Sequence, residues 1–220
     1  MTTSLKSLIS RGEHQQLDFK YCISDSRKIA KTLSAFANTD GGTLLVGVRD
    51  NGSIAGVMSD EEYYMIEAAA SLYCKPGIKY SMTTHRVESK TILEVIVDKG
   101  SERPYLAKNE DGRWLAYIRK GDQNLLANRL IISVWKNEYD RKNILIEFRK
   151  PETLLLAYLK DHGSITLSKF RRLASVSGKI AEKIISDFIL LEIIDYDMTE
   201  KGCRYIPGRE FDSPVNTPGA

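Results

Sequence analysis

The stretch Ser34 to Gly52, SAFANTDGGTLLVGVRDNG, constrains the fold more than any other part of this 220-residue chain. The segment DSRKIAKTLSAFAN has apolar residues at Ile29, Leu33, Phe36 and Ala37, the stripe of an amphipathic helix, and Asp25 stands where an N-cap belongs. Thr39-Asp40-Gly41-Gly42 stops that helix. GTLLVGV then reads as a short strand covered on both faces, and Asp50-Asn51-Gly52 supplies the positive-φ residues of a hairpin turn into SIAGV. Glycines that cradle a phosphate follow a strand and open a helix, so that amides and the helix dipole face the anion. Here the order is reversed, and a helix C-terminus presents carbonyls. The glycines therefore read as a helix stop and a close helix–strand approach. No GxxxxGK[ST] occurs in the chain, so a P-loop is absent.

Around this stretch the pattern alternates. LDFKY places Leu17, Phe19 and Tyr21 on one strand face and Asp18 and Lys20 on the other. Ser59-Asp60-Glu61-Glu62 matches a capping box and opens a helix through Tyr73, which Lys75-Pro76-Gly77 ends. KYSMTTHRV and TILEVIVDK, on either side of Glu88-Ser89-Lys90, predict a second hairpin. WLAYIRKG is a further strand. NRLIISVWKNEY closes the first unit as a helix burying Leu130, Ile131, Val134 and Trp135. Mixed strands and helices of this kind predict an α+β domain, expected at residues 10–140.

A second unit starts near Asn143. Pro151 suits the first turn of a helix that Gly163 terminates, SITL is an extended link, and Ser168 caps SKFRRLAS. Ser177 caps SGKIAEKIISDFILLE, and IIDYDMTEKGCRYIP reads as two strands around the polar turn Met198 to Gly202. Helix, short strand, helix, turn, helix and β-hairpin is the order of a winged helix, expected at 143–207. Residues 208–220, rich in Pro and Gly, are expected to be a disordered tail.

Composition excludes several classes. No apolar run approaches the ~20 residues that span a bilayer, and the N-terminus lacks the apolar core of a signal peptide. Three scattered cysteines and three scattered histidines support neither a disulfide framework nor a zinc site, so the expectation is a cytoplasmic chain with reduced thiols and no membrane partner. The net charge is only +3, but residues 141–183 hold ten Lys/Arg against four Asp/Glu, a local basic block.

GEHQQLDFK followed by SAFANTDGGTLLVGVRDNGSIAGV closely resembles the Schlafen-type Alba-like domain, also known as divergent AAA. That pattern is E-x-x-x-L-E-F-K, a helix, A-F-A-N-T-x-G-G, an apolar strand ending G-V-x-D, then G-x-I-x-G. Its later half has a Pro-Tyr element, here Arg103-Pro104-Tyr105, and a strand ending Arg-x-Gly, here Tyr117 to Gly121. Asp18 departs from the commoner Glu. The resemblance covers roughly residues 10–140 and implies a nucleic-acid partner. Members are often followed by a winged helix and described as transcriptional regulators. The divergent-AAA label implies ATP, which the missing P-loop argues against, so no cofactor is expected.

The resemblance also sets Glu13, Asp18 and Asp50 where nuclease members carry a three-carboxylate site. Such a cluster would hold Mg²⁺ or Mn²⁺, with Lys20 steadying developing charge. The plainer reading makes Glu13 a surface residue, Asp18 and Lys20 an exposed strand pair, and Asp50 a turn former. In the winged helix, Lys169, Arg171, Arg172, Ser177, Lys179 and Lys183 are candidate contacts to a groove and its phosphates, with Lys201 and Arg204 at the wing and Arg119 in the first domain. A winged helix also serves for dimerisation or protein contact. The leading expectation is a homodimeric DNA- or RNA-binding transcriptional regulator. The alternatives are a metal-dependent nuclease and a nucleotide-binding regulatory module.

Overall fold

Strands β1 (Leu17–Lys20) and β2 (Gly42–Val46) lie side by side and parallel because helix α2 (Ser26–Asn38) carries the chain back between them. Asp25 caps α2, its carboxylate accepting the Arg27 N–H at 2.9 Å. The helix stops as Thr39 and Gly41 both donate to the Phe36 carbonyl, with Gly41 at φ 71°. At Gly42 a Cβ would stand 2.5 Å from the Phe36 ring, so only glycine lets β2 start against the helix.

The computed structural model describes residues 2–144 and 147–212 as a mixed α+β chain that divides into two units, Met1–Ala127 and Asn128–Ala220. In the first unit, β5 (Lys90–Val97) and β4 (Ser81–Val87) extend the sheet antiparallel in the order β1-β2-β5-β4. One face of this sheet meets α2 and α3 (Glu61–Ser71), packing Ile29, Leu33 and Phe36 against Leu44, Val46, Leu93 and Val95. The other face meets α1 (Thr2–Ser10), with Leu5 and Ile9 over Leu17, Phe19 and Leu45. Each such side chain contributes about 1.5–3 kcal/mol of burial. A second sheet, β3 (Cys74–Lys75), β6 (Leu106–Lys108), β7 (Trp114–Lys120) and β8 (Gln123–Leu126), packs on α2. The unit therefore begins at α1, a helix that reading the N-terminus for what it lacks does not reveal.

The second unit contains α4 (Arg129–Lys136), a 3-10 segment Glu138–Asn143, α5 (Lys150–His162), α6 (Leu167–Ala174), α7 (Gly178–Leu190), β9 (Ile194–Thr199) and β10 (Gly202–Pro207). Helix α4, expected to close the first unit, clusters with the second and lies against α7. Pro151 sits in the first turn of α5, and Gly163 ends it at φ 72°. Ile165 and Tyr205 exchange backbone bonds of 2.9 and 2.8 Å, a single antiparallel bridge that ties the link after α5 to the β9–β10 hairpin, where a short strand was expected. Thr166, rather than Ser168, caps α6 by accepting the Lys169 N–H, because the helix already begins at Leu167. The expected tail divides: Gly208 and Glu210 donate to Ile193 and Glu192, which ties down 208–212, while 213–220 lie outside the described residues. Among the described residues no helix is long and apolar enough to cross a membrane.

Candidate functional site

The alternation of β1 turns Asp18 toward the face shared with α2, and the Asp18 residue is 3% exposed. Its partner there is Arg119 of β7, itself 1% exposed, whose Nη2 stands 3.0 Å from Asp18 Oδ1. The same guanidinium donates to Leu17 O (3.1 Å), His14 O (3.3 Å) and Asn124 Oδ1 (3.0 Å), and its Cζ lies 5.2 Å from the Phe36 ring centroid. Asp18 Oδ2 lies 2.8 Å from Lys20 Nζ, at ion-pair distance but without hydrogen-bond geometry. Arg119 was a candidate phosphate contact. Its burial instead makes it the clasp between β1 and the second sheet.

Glu13 stands beside this pair and accepts the Phe19 N–H at 2.9 Å. Burial, reinforced by neighbouring Asp18, pushes the Glu13 carboxyl above its ordinary value, and the Phe19 amide and Lys20 offset this only in part. Asp50 does not join them. Asp18 is in register with Leu44 and Lys20 with Val46, and β2 ends there before Gly47, at φ 94°, turns the chain. Asp50 is exposed in the hairpin beyond, along a cleft lined by Lys6, Ile9, Gly12 and Phe19. Among the described residues no three His, Cys, Asp or Glu side chains are grouped to hold a metal ion. As arranged, the donor set does not fit a divalent cation: Asp18 is held by two cations, Glu13 by a backbone amide, and Asp50 is not grouped with them.

The A-F-A-N-T signature is a wiring element. Asn38, 1% exposed, accepts the Tyr105 N–H (2.8 Å) and donates to the carbonyls of Tyr105 (2.8 Å) and Tyr117 (3.0 Å). Ser34 donates to Tyr105 O, Thr39 accepts the Arg119 N–H, and Gln15 bridges Asp40, Arg119 O and the Gly121 amide. Sequence reasoning passed over Ser34 and Asn38. Their signal is polarity at i and i+4 on a buried stripe, which requires partners from elsewhere.

In the second unit Lys169, Arg171, Arg172, Lys179, Lys201 and Arg204 are all exposed, and among the described residues no carboxylate is at ion-pair distance from Lys169, Arg171, Arg172 or Lys179. The turn between α6 and α7, with Ser175 at φ 53°, brings Arg171 to the start of α7, its guanidinium carbon 3.6 Å from where a Cβ on Gly178 would be. Ser177 is the cap of α7, its hydroxyl accepting the Ile180 N–H. Lys183 is engaged by Asp187 at 2.7 Å, and a cleft places it beside Leu130 and Ser133 of α4 and Asn137, which caps that helix. Arg171 and Lys179 thus meet at the α6–α7 turn, Arg172 belongs to the last turn of α6, Lys169 stands in its first turn with its ammonium 5.8 Å from the Tyr158 ring centroid, and Lys201 and Arg204 are on the hairpin.

Among the solved structures similar to this chain are two bacterial proteins. The DIP2311 protein of Corynebacterium diphtheriae is 19% identical at a TM-score of 0.45, covering 88% of this chain, which spans 34% of that one. The N-terminal domain of a RecG-related protein of Nitrosomonas europaea is 23% identical at a TM-score of 0.39, covering 57% of this chain and 95% of that one. No curated protein matches. The family model described as Schlafen, AlbA_2 matches residues 13–128, the span that holds Glu13, the Asp18–Arg119 clasp and the Asn38 wiring, and the chain belongs to that family.

Proposed function

We propose that this chain is a nucleic-acid-binding protein, a homodimeric regulator that holds duplex DNA through a winged helix formed by α5, α6, α7 and the β9–β10 hairpin. The observation that carries the reading is the run of exposed cations along α6 and into α7, Lys169, Arg171, Arg172 and Lys179, with Arg171 and Lys179 meeting at the turn between them. Exposed cations are what a polyanion recruits, because each phosphate contact releases condensed counterions. Lys201 and Arg204 on the hairpin extend the same charge toward an adjacent backbone. Family membership supports the nucleic-acid partner, and the order of elements supports the winged helix. Two copies reading two half-sites supply the specificity that one short site lacks.

The test is fluorescence anisotropy of a labelled duplex over a salt series. The triple variant Lys169→Ala/Arg171→Ala/Arg172→Ala should bind more weakly, with the log–log salt slope flattened by about 2–3, at ~0.9 per phosphate contact. Lys183→Ala, whose ammonium is already engaged by Asp187, should bind nearly as wild type. A triple variant with wild-type affinity and slope would remove this reading.

A further inference from the structure

The first sheet ends on an unpaired seven-residue edge, β4, with the sequence Ser-Met-Thr-Thr-His-Arg-Val. It contains no proline, no glycine and a single charge, Arg86, so it lacks the devices that usually blunt an edge. Which backbone groups face outward follows from the ladder. The Thr91 carbonyl accepts the Val57 N–H on the far side of β5, so Arg86, in register with Thr91, turns its own N–H and C=O away from β5. Alternation then turns Thr84 and Met82 outward as well. Among the described residues none of these backbone groups has a partner.

We propose that β4 pairs antiparallel with β4 of a second copy about a two-fold axis through Thr84, joining the two four-stranded sheets into one of eight. This register sets Thr84 opposite Thr84 of the second copy, and Met82 opposite its Arg86, so all three outward residues on each side find partners. Sliding by two residues toward the β4–β5 turn would set Arg86 against Arg86, a like-charge pair that opposes that alternative. Sliding the other way leaves Arg86 unpaired. A second observation points to the same axis. Tyr63 Oη lies 3.0 Å from Thr84 Oγ1, so the first turn of α3 stands over the middle of β4. The next residue, Tyr64, is 76% exposed, and Met58, just before the helix, is 70% exposed. An axis perpendicular to the sheet keeps α3 of both copies on one face, where these side chains gain apolar neighbours across the junction.

The pairing names the surface of the homodimer invoked above and does not depend on what the second unit binds. Sedimentation equilibrium of the full chain should give a dimer for the wild type and for Thr84→Val, which keeps the central N–H. Thr84→Pro removes that outward N–H without touching a β4–β5 bond, and should raise the dimer dissociation constant at least about tenfold. Under mild oxidation Thr84→Cys should cross-link as a dimer, the opposed Cα atoms being ~5.5 Å apart, and Arg86→Cys should not, with wild type as the background for the native cysteines. A wild-type monomer overturns both the edge and the homodimer. A wild-type dimer that Thr84→Pro leaves intact, or cross-linking at Arg86→Cys instead of Thr84→Cys, overturns the edge alone. If Thr84→Pro fails to fold by circular dichroism, the cysteine pair decides.

Discussion

Replacing Arg119 by methionine tests whether this residue holds the first unit together or waits for a phosphate. The substitution keeps much of the side chain's apolar volume and removes every donor. Asp18, 3% exposed, then has only Lys20, and that lysine side chain is itself 36% exposed. The carbonyls of His14 and Leu17 and the Asn124 amide oxygen also lose a donor. Breaking a buried ion pair from one side costs about 3–5 kcal/mol, because a desolvated charge is left unpaired. That is a large part of the ~5–15 kcal/mol that holds a typical domain together. At about 2–5 °C per kcal/mol for a unit of this size, thermal unfolding should occur roughly 10–20 °C lower. Adding Asp18→Leu to Arg119→Met should recover much of the loss, since the orphaned carboxylate goes with its partner. The assay is denaturant and thermal unfolding of wild type, both single variants and the double, read as a mutant cycle. A loss below about 1 kcal/mol for Arg119→Met, or a double variant no better than the sum of the singles, would refute the clasp. Under conditions where Arg119→Met stays folded, its duplex affinity and salt slope should match wild type, a result a phosphate-contacting arginine would not give.

Asn38→Leu should cost about 2–4 kcal/mol in denaturant melts, because the Tyr105 amide and the Tyr117 carbonyl lose their Asn38 partner in the interior, while the Tyr105 carbonyl keeps Ser34. Gly42→Ala should lower the unfolding midpoint, since its Cβ must displace the Phe36 ring; the double variant Gly42→Ala/Phe36→Leu should lose less than the two singles summed. Glu13 carries a pH signature. Its folded-state carboxyl is raised by burial and by Asp18, so its contribution to stability is full below the unfolded value and declines as pH rises through the folded one. Glu13→Gln, which still accepts the Phe19 N–H, should therefore be more stable than wild type at neutral pH, and the advantage should vanish below the ordinary carboxylate range. Melting curves from pH 3 to 8 check this, and an advantage that grew on acidification would contradict it.

Much of the fold was legible because its signals are local. The α2 stripe, the helix stop at Gly41-Gly42, the Asp50-Asn51-Gly52 turn, the hairpin of β4 and β5 and the cap at Ser177 each depend on residues a few positions apart. The boundary between units was harder to place, since the buried stripe of α4 shows that the helix packs but not on which neighbour. The cap of α6 moved from Ser168 to Thr166 because both residues suit the role and only the backbone selects one.

The candidate site divides along the same line. By itself the sequence determined which side chains share a strand face, which glycines must stay small, where the basic block lies and which family pattern the chain carries. Tertiary structure alone decided what those side chains do. Arg119 meets Asp18 across 101 positions and Asn38 meets Tyr105 across 67, so a charge that reads as a surface contact becomes buried and a polar residue on an apolar stripe finds its partners. Asp50 lies in the hairpin beyond β2, and among the described residues it makes no three-carboxylate group with Glu13 and Asp18. The reason is physical: periodicity reports the direction in which a side chain leaves its own element, whereas exposure, pairing and charge depend on what other elements bring opposite it.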